Sequence, residues 1–454
     1  MASAEIGMNL NTLTYYSNQY PFLDRYKTSG SWNASNSNWQ GVAGPVLDAN
    51  GYPTAMAAGA SQMYVMLELD PASLDMPDVY VLRYKGEANI TLQSAQILSS
   101  KPGEIIFKYS GGNMTPLTVW GMNPDKPLSQ INIVRQDQLA LFDAGEIFNP
   151  AFLEKVTPFS TVRYMDWQNT NGTDVSKWED RISPDDASYN ANGNKSGAPI
   201  EIMVALANKT HTNMWINIPT KADDDYVTKT LQYVRDHLDP GLKVQIEYSN
   251  EVWNWQFTQS HYALSMGDQL FGKDSNNDGV IDSNNPAEHV PDGWTQYYGY
   301  RSAQIALIAK AVFADDPARA RTVISSQTAW TGLETGVLKG VQRVGNVASL
   351  FDDYAITNYF DLGTGDEATL LKWARGGEDG LTAGFAAIMQ NISNFKTTLA
   401  YQANVAKAWG LDLVSYEAGV HTTSWQFPSS SQPEIQAFLE KLGKDPRMAT
   451  AYQQ

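Results

Sequence analysis

From about residue 155 onward, short apolar runs alternate with stretches of helical periodicity. "STVRYMDW" (160–167), "TNMWINIP" (212–219), "KVQIEYSN" (243–250), "RTVISS" (321–326), "DDYAITNYF" (352–360) and "LDLVSYEAG" (411–419) read as strands. Between them, "DDDYVTKTLQYVRDHL" (223–238) sets Val227, Leu231, Val234 and Leu238 at helical spacing. Three Asp residues stand at the end where a helix dipole favours negative charge. Further helices are predicted around "YRSAQIALIAKAVF" (300–313), over 383–409, and near "PEIQAFLEKLG" (433–443). Strand–helix alternation of this kind predicts a parallel sheet, open or closed into a barrel.

The N-terminal third has another rhythm. "IGMNLNTL" (6–13) reads as a first parallel strand, and residues 14–60 are loop-like and rich in Asn, Ser and Gly. Residues 62–135 hold "QMYVMLEL", "DVYVLRYKG", "ANITLQSAQIL", "EIIFKY", "LTVWGM" and "INIVRQ", punctuated by Gly, Pro and Asp with no helical period between them. This predicts an all-β, sandwich-like insertion between the first and second parallel strands. It is either a carbohydrate-binding module or structural support. The expected organisation is a first strand and loop over 1–60, the insertion over 61–140, and the rest of the parallel-strand domain over 141–454.

Charge and composition narrow the partners. The 454 residues carry a net charge of −17 and no cysteine. A nucleic-acid or anionic-membrane partner needs a basic footprint, so neither is expected. Disulfides, thiolate metal sites and cysteine nucleophiles are excluded. No apolar run reaches the ~20 residues of a membrane span. No export signal is visible, since Met1-Ala-Ser-Ala-Glu leads straight into the first strand. The chain holds 13 Trp and 23 Tyr, whose flat faces both fill cores and stack on the C–H faces of sugar rings.

One insertion, 272–292, contains "DSNNDGVID" (274–282), which has the order of a calcium loop. Asp274, Asn276, Asp278, the Val280 carbonyl and Asp282 match its first ligand positions, with Gly279 at the turn. The twelfth position is Asn285 rather than the usual bidentate Glu. A structural Ca²⁺ site and a polar surface loop are the two readings.

Two glutamates carry the chemistry. Glu251 lies just past "IEYSN" and Glu417 ends "LVSYE", each beyond an apolar run. Parallel strands deliver residues at their C-terminal ends to one face. Two carboxyls there suit glycosidic hydrolysis, one protonating the leaving oxygen and the other attacking or activating water. The Asn250-Glu251 dipeptide and the Ser415-Tyr416-Glu417-Ala418-Gly419 run resemble the fourth- and seventh-strand motifs of clan A glycoside hydrolases, the retaining (β/α)8 enzymes typified by family 5. Strand counting independently makes "QIEYSNE" fourth and "LVSYE" seventh. The resemblance implies Glu251 as acid/base, Asn250 as partner of the sugar 2-hydroxyl, and Glu417 as nucleophile. It also implies a role for Arg163 at the end of the second strand and for Tyr359 at the end of the sixth. Where the clan often has His two residues before that Tyr, this chain has Thr357. Trp253, Trp255, Trp330 and Trp425 follow predicted strand ends and are candidate stacking platforms, as are Trp167 and Trp178; Trp215, inside a strand, is expected in the core.

The implied fold is an α/β (β/α)8 TIM barrel apparently lacking a clear eighth strand. Only 37 residues follow Glu417, and they hold a Trp-containing loop, a helix and "DPRMATAYQQ". Either the chain is truncated, an eighth strand escapes the pattern, or the gap is filled otherwise. The implied activity is a retaining β-glycosidase on a β-linked polysaccharide, an endo-β-glucanase such as a cellulase first. It needs no cofactor for catalysis, is expected as a monomer, and is expected outside the cell or at its surface. The rival from another class is a non-catalytic carbohydrate-binding protein or truncated pseudo-enzyme on the same scaffold. A metal-dependent hydrolase is disfavoured because the five His residues are scattered, and a dinucleotide enzyme because "GMNLNTL" has no Gly-rich turn.

Overall fold

A computed structural model describes residues 6–69, 79–109, 115–190, 196–276, 278–279, 281–282 and 284–454. The chain divides into two compact units. The first comprises 1–250, 257–259 and 307–320; the second comprises 251–256, 260–306 and 321–454.

In the first unit, β1 (Gly7–Asn9), β2 (Thr161–Arg163), β3 (Asn213–Ile218) and β4 (Val244–Tyr248) pair in that order, all parallel. Period-two alternation sorts their side chains. Val162, Met214, Ile216, Ile218, Val244, Ile246 and Tyr248 lie on one face and are buried. The helix Ile200–Thr210 packs on β3, and Tyr164 just beyond β2 donates its hydroxyl to the Met203 carbonyl of that helix. On the opposite face, Arg163 is paired in register with Trp215, and Asn217 with Glu247. Arg163, Asn217 and Glu247 therefore make the second face of β2–β4 polar around Trp215.

The same unit holds two antiparallel sheets. One has five strands in the order 41–42, 33–35, 62–67, 115–122 and 88–92. The other has four, in the order 129–135, 79–85, 104–109 and 95–101. Met63, Val65, Leu67, Leu117 and Val119 of the first sheet share one core with Tyr80, Leu82, Phe107, Ile131 and Ile133 of the second. The arrangement is a β-sandwich, and it draws strands from 33–42 as well as from residues after 61. The run "ANITLQSAQIL" is not one strand. Ser94 sits at φ +56, a left-handed conformation that ends one strand at Leu92 and lets the chain cross to the other sheet at Ala95.

In the second unit, β5 (Ala320–Ser325), β6 (Asp353–Phe360) and β7 (Asp412–Val420) are parallel and adjacent in that order. At their N-terminal ends, Arg321 binds both Asp353, which is fully buried, and Asp412. Residues 293–306 of the helix Gly293–Val312 meet the helix Glu334–Gln342 at glycines. A Cβ on Gly340 would lie 1.9 Å from the Gln296 carbonyl oxygen, so only glycine permits that approach. The 33-residue helix Gly377–Trp409 and the helices Gln432–Lys444 and Arg447–Gln453 enclose a separate core around Phe385, Ile388, Phe438 and Leu442.

Seven parallel strands are present among the described residues, four in one unit and three in the other. No strand follows β7 there; "DPRMATAYQQ" instead forms the last helix. The helices Ile200–Thr210, Thr258–Phe271 and Glu334–Gln342 are also absent from the pattern-based expectation. No helix among the described residues is long and apolar enough to cross a membrane.

Candidate active site

β4 stops at Tyr248, two residues before the predicted end, because Ser249 takes φ +59. Three bonds fix that turn. The Ser249 N–H donates to Ile218 O (2.8 Å), its carbonyl accepts from Asn217 Nδ2 (2.7 Å), and its hydroxyl pairs with Thr220 (2.7 Å). Glu251 also has positive φ, +40. Two left-handed non-glycine residues so close together persist only where surrounding contacts over-determine them.

In the first unit, the polar face of β2–β4 is a hydrogen-bonded network. Glu247 Oε2 accepts from Arg163 Nη2 (3.0 Å), Trp215 Nε1 (2.9 Å) and Asn217 Nδ2 (2.9 Å). Both charged groups are fully buried. The same Arg163 Nη2 donates to Asn250 Oδ1 (2.9 Å), which turns the Asn250 NH2 the other way, toward Asn171 Oδ1 (3.1 Å). Gln259 Nε2 holds the Asn250 carbonyl (2.8 Å) and Asn171 Oδ1 (2.6 Å). Arg163 thus orients the Asn250 amide. Glu247, Asn217, Asn171 and Gln259 were not anticipated. The available signal was a charged residue at the centre of "KVQIEYSN", a position where a buried parallel strand normally carries an aliphatic side chain.

In the second unit, Glu251 and Glu417 are both half-buried. Pairing of β6 with β7 slips between Ile356 and Thr357, which face Ser415 and Glu417 respectively and leave Tyr416 as the extra residue of a bulge. A bulge re-aims side chains that regular alternation would send to opposite faces. The Tyr416 hydroxyl donates to Glu251 Oε1 (2.9 Å), and the Tyr359 hydroxyl donates to Glu417 Oε2. Asn254 Nδ2 donates to the second oxygen of Glu251 (3.1 Å). Two consecutive residues of β7 therefore engage the two glutamates: Tyr416 grips one, and Glu417 is the other. Neither Tyr416 nor Asn254 was anticipated as a partner of Glu251.

An open pocket of about 560 Å³ adjoins Glu251, lined by Trp253, Asn254, Trp255, Gln327, Ala329 and Trp330. The tryptophans differ in what they offer. Trp253 is buried against Tyr298 and Tyr416 and forms a wall. Trp255 (42% exposed) and Trp330 (50%) present open faces, joined through buried Trp294 at ring distances of 5.3 and 6.0 Å. Trp294 is a further aromatic that the strand-end argument missed, because it lies inside a helix. Trp425 is 76% exposed in the segment after β7 and does not line this pocket. Trp167 is fully buried between Phe22 and Phe152 and offers no stacking face, a correction that its place just past β2 did not reveal. Trp178 stacks under Arg181, and Trp215 is buried, as its strand position requires.

The acidic loop has its own order. Asp274 accepts N–H bonds from Asp278 (3.3 Å) and Gly279 (2.8 Å), and Asn276 Nδ2 donates to Asp278 Oδ2 (3.0 Å). Glu288 closes the loop from behind, accepting from the Asp282 N–H (2.8 Å) and the Ser275 hydroxyl (2.6 Å). The Asp282 N–H holds the Glu288 carboxyl below its ordinary range. Val280 lies outside the described residues. Among the described residues, no three His, Cys, Asp or Glu side chains converge to hold a metal ion.

No family model matches the sequence, and no curated protein does. Solved structures give distant likenesses. One is the N-terminal endo-1,4-β-D-xylanase 10B of Clostridium thermocellum complexed with xylohexaose, 11% identical, covering 94% of this chain and 86% of that one at a TM-score of 0.31. A fungal β-1,4-galactanase is 12% identical over 69% of this chain and 82% of its own, at 0.30. An endo-1,4-β-xylanase from Caldicellulosiruptor owensensis is 10% identical over 65% and 76%, also at 0.30. Likeness at this level fixes neither activity nor substrate.

Proposed function

We propose that the chain is a retaining β-glycoside hydrolase of the clan A type, acting on a β-linked polysaccharide as an endo-β-glucanase. The observation that carries this reading is the hydrogen bonding at the β7 bulge, where Tyr416 reaches Glu251 while its neighbour Glu417 accepts from Tyr359. Glu251 lines the aromatic pocket, and the residue next to its partner Tyr416 is the second carboxyl, Glu417.

In the proposed course, Glu417 attacks the anomeric carbon while Glu251 protonates the leaving oxygen. A glycosyl ester forms on Glu417. Glu251, now a carboxylate, takes a proton from water, which attacks the anomeric carbon and releases the sugar. Tyr359 fixes the rotamer of the nucleophile, and Tyr416 with Asn254 fixes that of the acid/base. Asn250, joined to Glu251 by the peptide bond, takes the sugar 2-hydroxyl, with its amide turned by Arg163. Trp255 and Trp330 stack on neighbouring sugars, Trp253 walls the subsite, and Trp425 extends the binding surface. A polymeric substrate goes with a protein outside the cell or on its surface. The 274–282 loop is proposed to take a structural Ca²⁺ through Asp274, Asn276, Asp278, the Val280 carbonyl and Asp282.

The test is reducing-sugar release from β-1,4- and β-1,3-glucans, mannan and xylan, with Glu417→Gln alongside. Release that the variant loses, strongest on a glucan, is expected. Release that survives Glu417→Gln rejects the assignment. A folded protein silent on every polymer turns the reading to non-catalytic sugar binding.

A further inference from the structure

We propose that the five-stranded antiparallel sheet of the first unit binds a neutral polysaccharide chain through Trp39 and Trp120, at a site to which neither glutamate belongs. These two indoles are 68% and 47% exposed, with ring centres 6.3 Å apart and planes at 88°. Together they form an open apolar corner. Large apolar groups exposed side by side mark interaction surfaces more often than isolated ones do.

Both rings are held in place. Trp120, on the strand Thr115–Met122, donates its indole N–H to Thr91 Oγ1 on the neighbouring strand (2.9 Å). Its polar edge is thereby satisfied while the ring stays exposed. Trp39 has φ +61, a conformation that bulky residues rarely adopt. The turn around it is pinned by Asn36, whose carbonyl accepts from the Trp39 N–H (3.0 Å) and whose Oδ1 accepts from the Gln40 N–H (3.1 Å). The backbone bears a cost to hold an indole on the surface, and pre-ordered aromatics lose little entropy when a ligand stacks on them.

Charge selects the ligand class. The five strands of this sheet and the turn 36–40 contain no Asp, Glu, Lys or Arg. The opposite sheet of the sandwich carries Arg83, Lys85, Lys101, Glu104, Lys108 and Arg135. In a chain of net charge −17, an uncharged aromatic face flanked by Asn36, Asn38 and Gln40 suits neither a charged polymer nor an ionic protein partner. It suits a ligand with apolar C–H faces and a rim of hydroxyls, which is a neutral sugar chain. The inference stands apart from the catalytic reading, since binding here needs neither Glu251 nor Glu417.

The test is affinity electrophoresis of the full chain in gels containing β-1,3-1,4-glucan, glucomannan or xylan. The parent carries Glu417→Gln so that no polymer is cut. Trp39→Ala, Trp120→Ala and their combination are compared with Trp39→Phe/Trp120→Phe, and melting curves check folding. At least one polymer is expected to retard the parent, and the double Ala variant to bind it about tenfold more weakly, from two lost aromatic contacts. The Phe pair is expected to keep most of the retardation. In the otherwise wild-type chain, turnover of a soluble aryl glycoside is expected to stay within about twofold, since the two tryptophans lie outside the catalytic groups. Equal retardation of parent and double Ala variant overturns the proposal, as does a parent that no polymer retards. Dissociation of a dimer by these exchanges, read by sedimentation velocity, overturns it in favour of a second copy. Trp-dependent retardation without any hydrolysis by the wild type sinks the enzyme reading and leaves this one intact.

Discussion

Glu247→Gln is the perturbation that most sharply probes the polar face of β2–β4. Its carboxylate is the counter-charge of Arg163, and the two side chains are 2% and 3% exposed. Gln preserves the shape and still offers an oxygen to Trp215 and Asn217. It removes the charge that balances a buried guanidinium. Breaking a buried pair from one side costs about 3–5 kcal/mol, because the other charge remains desolvated. Arg163 also donates to Asn250 Oδ1 at 2.9 Å, so its displacement frees the Asn250 amide to rotate. Misplacing a positioning group by about 1 Å can cost 10²-fold in rate, so kcat/KM is expected to fall by roughly 10–100-fold. The assay pairs urea unfolding with turnover of an aryl glycoside. Adding Arg163→Met to Glu247→Gln removes the orphaned charge, so the double variant is expected to regain stability but not activity. A single Glu247→Gln variant that loses less than about 1 kcal/mol and keeps its kcat/KM would refute the claim that this pair orients Asn250.

Three further outcomes are expected. Tyr416→Phe and Tyr359→Phe each remove one hydrogen bond to a charged partner, worth about 1.5–3 kcal/mol, and each should lower kcat by about 10–100-fold with little change in melting temperature; an unchanged kcat would deny them a role in positioning Glu251 and Glu417. Arg321→Met leaves fully buried Asp353 without this partner and should destabilise the second unit by about 3 kcal/mol, which Asp353→Asn in the same chain should partly restore; an unchanged unfolding curve would contradict this. If the 274–282 loop takes Ca²⁺, calcium at about 100 times its Kd should stabilise the protein by about 2.7 kcal/mol over the chelated form, and Asp274→Asn should abolish the difference; identical melting with calcium and with chelator would remove the metal from the account.

Some of this architecture was legible in the residues, for definite reasons. β3, β4, β6 and β7 are runs of β-branched and aromatic residues, and such runs identify strands well. Glu251 and Glu417 stood out as carboxylates just past apolar residues, although β7 itself continues through Glu417 to Val420. The helix Asp224–His237 was visible through its apolar stripe and its Asp cap. Other features depended on contacts that sequence spacing does not encode. Nothing in "LVSYEAG" marks Tyr416 as a bulge residue, since the slip is set by pairing with β6. Ser249 and Glu251 at positive φ gave no glycine signal. Glu247 was out of place in a buried strand, but its partners Arg163, Trp215 and Asn217 come from two other strands that spacing along the chain does not link to it. Trp167 and Trp255 each sit a few residues past a strand end, yet one is core and the other is open to solvent.

Glu417 and Glu251 are proposed to act as nucleophile and acid/base on one sugar. Azide rescue on aryl β-glycosides separates the two roles. With Glu417→Ala, azide should restore turnover and give the α-glycosyl azide, because it attacks once from the face the nucleophile left. With Glu251→Ala, it should give the β-glycosyl azide, by opening the glycosyl ester on Glu417. Products of these two opposite configurations would assign both roles. Wild-type turnover in either variant, or the same anomer from both, would rule out this division of roles between Glu417 and Glu251.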